Sequence, residues 1–358
     1  MIFNDAGRHL KEQFSIEGKY LESVNTFCYL GFEVKPSGTV KHAMENLLEK
    51  AKKAMRPILC ATQRFNLPAN IVVKLFHTYV SPIILYNVEN WGTLTESKLK
   101  EFKKTDIYDE IDRSKTDVIH RKLLKNILGV SRSCPNMAVY GETDETPLSL
   151  KGYRLMLNYW NRLSNLPNEC LLKKALLENT NLRTKWIKTI EKLIKTFNLI
   201  ETSKNSIKFQ KTTKTRIREY HTNTWKEKIS QQNVSSRLKV YKAINSELIT
   251  PSHLSLPFYM RKVISKMRCS DHNLEIERGR HLKIDRDKRT CHNCASNEVE
   301  DEEHFLLKCK TYQSVREKYR MTANNIYDFL NTETQENLAK FLIEASELRE
   351  KPKNRQHL

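Results

Sequence analysis

Glycine, cysteine and long apolar runs are all scarce in this sequence. Its 358 residues include only nine glycines and eight cysteines. The low glycine content, with helical periodicity in many segments, predicts a mainly α-helical chain. No run of about 18 apolar residues occurs, so no segment is expected to span a bilayer. The first five residues lack the charged-then-apolar pattern of a secretory signal, and we therefore expect an intracellular protein, in the nucleus or the cytoplasm.

Acidic residues are few relative to basic ones. The chain has 42 Asp and Glu against 62 Lys and Arg, which gives a formal net charge of +20. A basic excess of this size predicts attraction to a polyanion. Nucleic acid is the first candidate, and an acidic membrane surface is the alternative. We expect RNA or DNA as the partner, and no membrane.

Three of the few cysteines fall close together near the end of the chain. Cys291, Cys294 and Cys309 form, with His304, the pattern C-x2-C-x9-H-x4-C. Three thiols and one imidazole are a complete tetrahedral ligand set for a structural zinc ion. In a reducing compartment this spacing favours a metal over a disulfide. The alternative is four unrelated residues. The sequence predicts zinc as a structural cofactor, and no catalytic metal.

The spacing between His304 and Cys309 sets a geometric condition. At about 100° per residue, two positions five apart lie roughly 140° apart on an ideal α-helix. Both side chains can face one ion only if the helix begins near His304 and loosens before Cys309, or if one of them lies outside it. Four further residues nearby could serve as ligands but fall into no second paired spacing: Cys269, His272, His281 and His292.

Hydrophobic patterning predicts a short β segment followed by helices. A hairpin is expected at 13–22, turning at Glu17-Gly18, and a third strand at 27–35, both needing helices packed on one face. Helices are expected at 40–59, 68–79, 81–91, 118–128, 147–163, 171–177, 186–197, 208–228, 259–268, 324–330 and 335–349, with a polar linker at 93–112. We divide the chain into segments 1–38, 39–165, 166–256, 257–320 and 321–358.

Cations and aromatic residues alternate in the basic helical middle of the chain. Phosphate binding needs cations along one face, and base stacking needs aromatic residues among them. The predicted nucleic-acid-binding residues here are Lys208, Lys211, Lys214, Arg216, Arg218, Tyr220, Trp225, Lys226 and Lys228. A second set is Lys50, Lys52, Lys53 and Arg56. The alternative is that the lysines form the solvated face of amphipathic helices and that Trp225 belongs to the core.

Several segments, taken in order, carry a family resemblance. They are 14–18, 29–32, 50–54, 75–92, 123–130, 136–142 and 268–281, followed by the Cys/His cluster. In this order they resemble the region downstream of the catalytic palm in reverse transcriptases of non-LTR retrotransposons. The resemblance implies a palm-end β remnant in 1–38, a helical thumb-like bundle in 39–165, a basic helical linker, a small zinc-binding module and two C-terminal helices.

The residues that catalyse polymerisation in that family are missing. Polymerisation needs paired palm aspartates that hold two metal ions about 3.5–4 Å apart, and no Asp-Asp pair occurs in the sequence. A restriction-like endonuclease would need a Pro-Asp dipeptide, which is also missing. The acidic run 300–303 could be proposed as a catalytic metal site. Such a run is more typical of the first turn of a helix, where carboxylates favour the positive end of the dipole.

These observations predict a non-catalytic carboxy-terminal fragment of a retrotransposon reverse transcriptase. It would bind nucleic acid non-specifically through basic helices, with a separate palm and fingers polypeptide as a further partner. The long gap before His304 is unlike a retroviral zinc knuckle, so we expect a structural zinc site rather than direct contact with bases. One alternative is an inert or protein-interaction remnant of a transposable element. Another, an active polymerase, is disfavoured by the missing aspartates.

Overall fold

The chain is mainly α-helical, as predicted. A computed structural model describes residues 13–38, 40–92, 107–199, 205–231, 237–331 and 333–350. Two small two-stranded sheets lie near the beginning of this part of the chain, helices make up most of the rest, and a Cys/His cluster lies near its end. The predicted fold class is confirmed.

The first sheet is the predicted hairpin. Strand β1 (Ser15–Ile16) pairs antiparallel with β2 (Lys19–Tyr20). The two residues between them, Glu17 and Gly18, both have positive φ values, 50° and 76°. Positive φ at both central residues is the geometry of a type I′ turn, which matches the twist of a hairpin.

The second sheet corrects a prediction. Strand β3 (Phe27–Tyr29) pairs antiparallel with β4 (Phe32–Val34). Leu30 and Gly31 turn the chain between them with φ values of 47° and 80°. The single strand expected at 27–35 is therefore wrong, because these two residues form a second tight turn.

Helices account for most of the described residues. The first nine are α1 (Lys41–Arg64), α2 (Ala69–Tyr79), α3 (Ser81–Ile84), α4 (Val88–Trp91), α5 (Ile107–Arg113), α6 (Lys115–Leu128), α7 (Asn136–Thr143), α8 (Leu148–Ser164) and α9 (Leu171–Asn181). The others are α10 (Lys185–Thr196), α11 (Ser206–Ser230), α12 (Lys239–Ile244), α13 (Phe258–Arg268), α14 (Glu275–His281), α15 (Gln313–Lys318), α16 (Ile326–Asn331) and α17 (Gln335–Glu350). Short 3-10 turns lie at Ser252–Ser255, Arg286–Lys288 and Lys310–Tyr312, and a π-helix lies at His304–Lys308.

Two predicted elements differ from the structure. The single helix expected at 81–91 is divided into α3 and α4, because Asn87 takes a left-handed conformation with φ 57°. Residues 93–106 of the linker expected at 93–112 lie outside the described residues. From 107 onward it is wrong, because Ile107 and Ile111, four residues apart, are buried on one face of α5.

The chain divides into two compact units, each assembled from three stretches of sequence. The first unit draws its described residues from Met1–Arg56, Phe76–Ile119 and Pro147–Arg218. The second draws them from Pro57–Leu75, His120–Thr146 and Glu219–Leu358. The division into five consecutive segments remains a prediction.

In the first unit, α8 packs against α4, α9 and α10. The start of α8 is held by Asp117, whose carboxylate accepts the backbone N–H groups of Leu148, at 2.7 Å, and Ser149. A carboxylate at this position satisfies amide groups that have no partner within the helix. The buried Leu163, on α8, packs in a small cluster with leucine and isoleucine side chains of α9 and α10.

In the second unit, α13 packs along α17, and α16 packs against both α12 and α17. Their apolar side chains form one core with those that follow the Cys/His cluster. Phe305, Tyr312, Phe329 and Phe341 stack edge to face or tilted within it, with ring centroids 4.8–6.3 Å apart. The Cys/His cluster is thus built directly onto the main core of this unit.

Among α1–α17, as far as they are described, none combines the length and apolar character needed to cross a bilayer.

Candidate metal centre

The first two candidate ligands lie on a small hairpin. Thr290 and Val299 form an antiparallel bridge. The backbone N–H of Cys291 donates to the carbonyl of Glu298 at 2.8 Å, which extends the pairing by one residue. The chain between these ends carries Cys294 back towards Cys291, and the N–H of Asn293 points at the Cys291 sulfur at 3.4 Å. An amide directed at a sulfur stabilises a thiolate at that position.

The other two ligands are joined by a widened helical turn. The backbone N–H of Cys309 donates to the carbonyl of His304 at 2.8 Å, across five residues. This i to i+5 bond is characteristic of a π-helix, here His304–Lys308, and such turns are frequent at functional sites. Cys309 itself is extended, with ψ 118°. Both predicted alternatives are met, because the helix widens from His304 onward and Cys309 lies just outside it.

These local structures bring the four predicted ligands together. The ligand atoms of Cys291, Cys294, His304 and Cys309 all lie within 4.8 Å of one another. The Cys294 sulfur is 3.4 Å from Nε2 of His304. Three of the residues are buried, and Cys294 is half-buried. A group of this size and composition could hold one metal ion in a closed tetrahedral site.

A carboxylate beside the cluster orients the histidine. Nδ1 of His304 lies 2.7 Å from Oε2 of Glu298. If Nδ1 carries the proton for this bond, Nε2 is left deprotonated and directed at the sulfurs. Metal-binding histidines usually have such a partner, which fixes the ring and increases its basicity.

Two further side chains hold the ligand segments in place. The hydroxyl of Thr311 donates to the carbonyl of Asn293 at 2.6 Å, which ties the Cys291–Cys294 loop to the chain beyond Cys309. The buried guanidinium of Arg316 donates to the carbonyl of Cys309 at 2.5 Å and to that of Leu306 at 3.3 Å. These carbonyls lie at the end of the π-helix and lack partners within it.

The three thiols differ in acidity. Burial raises the pKa of Cys291 to about 12 and also raises the pKa of Cys309. Burial also acts to raise the pKa of Cys294, but hydrogen bonds from Ser296 and from the two other thiols together lower it to about 6. Of the three thiols, that of Cys294 therefore loses its proton most readily. A bound cation would supply the positive charge that three thiolates in one pocket need.

The acidic run before His304 has structural contacts. The Asp301 carboxylate accepts the backbone N–H of His304 at 3.0 Å, so it caps the first turn. The Glu300 carboxylate pairs with Arg349 at 2.8 Å, and Glu302 pairs with His272 at 3.0 Å. These contacts support the interpretation of the run as the start of a helix.

The other nearby cysteine and histidines are not members of the four-residue group. The buried thiol of Cys269 is hydrogen-bonded with that of Cys134, and His272 is paired with Glu302. His281 and His292 are exposed. Within the described residues, the metal-binding group at this end of the chain contains only the four predicted ligands.

Most of the predicted nucleic-acid-binding residues are solvent-accessible. The exposed ones are Lys50, Lys52, Lys53 and Arg56 on α1, and Lys208, Lys211, Lys214, Arg216 and Lys226 on α11. Arg218, Tyr220 and Lys228 are half-buried. Trp225 is fully buried, and its indole N–H donates to the carbonyl of Met137 at 2.9 Å. Trp225 is thus a core residue here, not a stacking platform, as the alternative interpretation held.

The exposed cations differ in how far their charge is compensated. Lys52 pairs with Glu49 at 2.5 Å. Lys208, Lys211 and Lys214 have no ion-pair partner in the described part of the chain, and the sequence of α11 contains no acidic residue before Glu219. The first half of α11 therefore carries cations that no acidic residue of that half compensates.

Sequence patterns did not identify Glu298, Thr311 or Arg316 as parts of the centre. Glu298 lies between the two ligand pairs in sequence, which is a weak signal for a supporting carboxylate. Arg316 carries no sequence signal, because its role depends on the path that the chain takes after Cys309.

No protein-family model, curated protein or solved structure matches this chain.

Proposed function

We propose that the Cys/His group binds one structural zinc ion. The supporting observation is that four ligand atoms, three sulfurs and one imidazole nitrogen, lie within 4.8 Å of one another. Zinc accepts such a set of three thiolates and one imidazole in tetrahedral geometry and has no redox chemistry. The ion would connect the hairpin that carries Cys291 and Cys294 to the π-helix that begins at His304.

The zinc proposal is tested by metal analysis of the purified chain. We expect one zinc per chain, lost in Cys309→Ser and retained in Cys60→Ser, which removes an exposed cysteine remote in sequence. A folded chain that binds no zinc under reducing conditions, even with excess zinc supplied, would contradict the proposal.

We also propose that the chain binds RNA or single-stranded DNA without strong sequence preference. The net charge of +20 and the uncompensated lysines of α11 support this. Cations that neutralise phosphates release counterions, so the affinity should fall steeply as salt increases. Binding of a labelled oligonucleotide over a salt series tests the proposal. Binding that is missing at low salt, or independent of salt, would overturn it.

We propose that the chain corresponds to the region downstream of the palm in a non-LTR retrotransposon reverse transcriptase. The support is the order of the resembling segments and the spacing of the Cys/His cluster. In a full-length element this region would grip template and primer. The chain itself would carry out no polymerisation, and a separate palm and fingers polypeptide would be its partner. Primer extension by the purified chain would contradict this assignment.

A second candidate function, protein interaction by an otherwise inert remnant, has one observation in its favour. The two hairpins expose large apolar side chains, with Tyr20 and Leu30 each 75% exposed and Tyr29 65% exposed. Exposed apolar groups in one short region are typical of a protein-binding surface. Sedimentation velocity tests this function: self-association in the wild type that is relieved by Tyr20→Ser with Leu30→Ser would favour it, and a monodisperse monomer would weigh against it.

A further inference from the structure

A small basic pocket lies within the second unit, beside the hairpin that carries Cys291. Five cationic side chains line it: Arg237, Lys239, Arg280, Arg286 and Arg289. They come from three stretches of sequence, around the start of α12, the last turn of α14 and the 3-10 turn that follows. The pocket has a volume of about 250 Å³. Pockets for drug-sized ligands measure roughly 300–1,000 Å³, so this space suits a smaller group.

The carboxylates of the pocket do not neutralise it. Glu277 lies 3.3 Å from Arg237 and 2.9 Å from Arg280. Asp301 lies 3.5 Å from Arg286 and also caps the helix at His304. The third carboxylate of the lining, Glu302, is paired instead with His272, outside the pocket. Arg237 pairs further with Asp271, outside the lining, at 2.8 Å. Five cations thus face four carboxylates, which leaves one positive charge in excess.

Two of the cations have no carboxylate partner. Neither Lys239 nor Arg289 forms an ion pair with any residue that the structure describes. Arg289 donates to backbone carbonyls instead, to Ile276 at 2.9 Å and to Ile284 at 2.9 and 2.6 Å. These bonds use three of its five N–H groups. The pocket therefore keeps an excess of positive charge and free donors for an anion.

The key guanidinium groups are held in place before any ligand arrives. The side chain of Arg289 lies directly on Gly279, where a Cβ would come within 2.6 Å of its Cγ. Arg237 donates to the carbonyls of Ser133, at 2.8 Å, and Ser270, at 3.0 Å. Fixed side chains lose less conformational entropy on binding. Arginine also presents the planar fork of donors that matches the oxygens of a phosphate.

We propose that this pocket binds a phosphodiester group of a nucleic-acid strand. The inference rests on the proposed nucleic-acid binding and assigns it a second contact point, in addition to α11. The small volume and the excess of positive charge fit one phosphate of a chain. Lys239 and Arg286 would supply direct contacts, and the fixed Arg237 and Arg289 would supply charge. The exposed Lys239 and the partly exposed Arg286 provide access from solvent.

A matched pair of double variants tests the proposal. Lys239→Gln with Arg286→Gln removes two charges from the pocket and leaves the fixed Arg237 and Arg289 in place. The control, Lys283→Gln with Lys288→Gln, removes two exposed charges from the neighbouring segment, neither of which lines the pocket. We expect the pocket variant to bind a labelled single-stranded oligonucleotide about tenfold more weakly, because charge-assisted phosphate bonds are lost. The control should change binding by less than about threefold, as expected for distant screened charges.

A site-resolved measurement completes the test. Arginine-selective dicarbonyl labelling, read by mass spectrometry, should show that the oligonucleotide protects Arg280 and Arg286 but not the exposed Arg278 of the same helix end. Inorganic phosphate is the second arm of this experiment. Protection by inorganic phosphate with none by the oligonucleotide would assign the pocket to a free ion and overturn the proposal.

The outcomes separate this inference from the function on which it rests. If oligonucleotide binding is steeply salt-dependent but equal in the wild type and the pocket variant, the pocket proposal is wrong and the proposed function stands. If the wild-type chain binds no oligonucleotide at any salt concentration, the proposed function itself fails. Thermal melts of both double variants, expected to match that of the wild type, show whether a loss of binding comes from unfolding.

Discussion

His304 is constrained at both ring nitrogens. Glu298 lies 2.7 Å from Nδ1, and the Cys294 sulfur lies 3.4 Å from Nε2. The backbone N–H of His304 is capped by Asp301 as well. A ring held in this way loses little freedom when it binds a metal, and the carboxylate makes Nε2 a more basic metal ligand.

Removing the charge of Glu298 should therefore weaken metal binding without abolishing it. For Glu298→Gln we expect roughly tenfold lower zinc affinity, the lower end of the range for such partners. Competition with a chromogenic chelator measures the change. Glu303→Gln is the control, because Glu303 pairs with the exposed Lys308 and not with a ligand. Equal affinities in the two variants would show that Glu298 does not support the ligand.

A second residue-scale feature is the buried ion pair between Glu142 and Arg268. Both oxygens of Glu142 lie 3.0 Å from Nε of Arg268, and both residues are essentially inaccessible to solvent. Asn245 donates to the same carboxylate at 2.9 Å. Asn331 accepts from Nη1 of Arg268 at 2.7 Å. The network links α7, α13 and the ends of α12 and α16.

Breaking this pair from one side leaves a buried charge without its partner. Glu142→Ala should lower the free energy of unfolding by about 3–5 kcal/mol. Urea denaturation followed by circular dichroism gives the value. Glu336→Ala, which removes an exposed partner of Lys340, should leave the free energy of unfolding nearly unchanged. Similar losses for the two variants would mean that the buried network does not hold the second unit together.

His253 should give stability a dependence on pH. Burial, reinforced by the charges of Arg268 and Arg261, lowers its pKa well below the ordinary 6.5. The Glu142 carboxylate lies 3.4 Å away, but its charge is already engaged by Arg268. Below pH of about 6.5 the unfolded chain binds a proton that the folded chain does not, so stability is present above that pH and is lost as pH falls.

The pH prediction is tested by comparing the wild type with His253→Gln. The wild type should lose up to about 1.4 kcal/mol per pH unit more than the variant between pH 6.5 and 5. Acid release of a bound metal would affect both proteins alike, so the difference between them isolates His253. Parallel stability profiles would contradict the assignment of a neutral buried imidazole.

At the scale of elements, the π-helix explains how His304 and Cys309, five positions apart, can face the same metal ion. Four residues separate His304 from Cys309, a poor separation for an ideal α-helix. The i to i+5 bond places the two ligands one wide turn apart, and Arg316 holds the carbonyls at its end. The sequence could predict the ligands and the need for a loosened turn, but not Arg316, whose contact depends on the fold of α15.

Elements with strong local signals were predictable, and those without were not. Glu17-Gly18 carries the glycine that a tight two-residue turn favours. Leu30 at positive φ is an unfavourable choice that only its hairpin enforces, so that turn was missed. Helix α5 is short and lies next to a polar stretch, which hid its two buried isoleucines.

The first half of α11 allows a quantitative prediction for nucleic-acid binding. Replacing Lys208, Lys211 and Lys214 by Gln removes three uncompensated cations. On single strands each phosphate contact contributes about 0.7 to the slope of log affinity against log salt, so the slope should become shallower by about 2. Filter binding or fluorescence anisotropy over a salt series measures it.

The control for this triple variant has the same change in charge. Lys288, Lys318 and Lys340 each pair with a carboxylate at 3.0 Å or less. Replacing them by Gln should leave the salt slope nearly unchanged. If both triple variants reduce the slope equally, binding follows net charge alone and α11 is not a preferred surface.

At the scale of the whole molecule, each unit combines stretches that are far apart in sequence. The second unit brings 57–75 and 120–146 together with everything from 219 onward. Periodicity identifies a helix but not the helix it packs against, which is why the two units were not expected. The Cys/His cluster adjoins the core of α13, α16 and α17, so a bound metal would stabilise more than its own loop.

Metal removal should consequently loosen the second unit from its end inward. The hairpin 289–300 has few apolar residues of its own, and binding free energy of a structural zinc becomes folding free energy. After chelation we expect faster amide hydrogen exchange in 289–312 and a lower melting temperature. Peptides of α8 and α10, which have their own apolar cluster in the first unit, should exchange as before. Re-addition of zinc should restore the slow exchange. Unchanged exchange in 289–312 after complete metal removal would show that the four ligands are held together by the polypeptide alone.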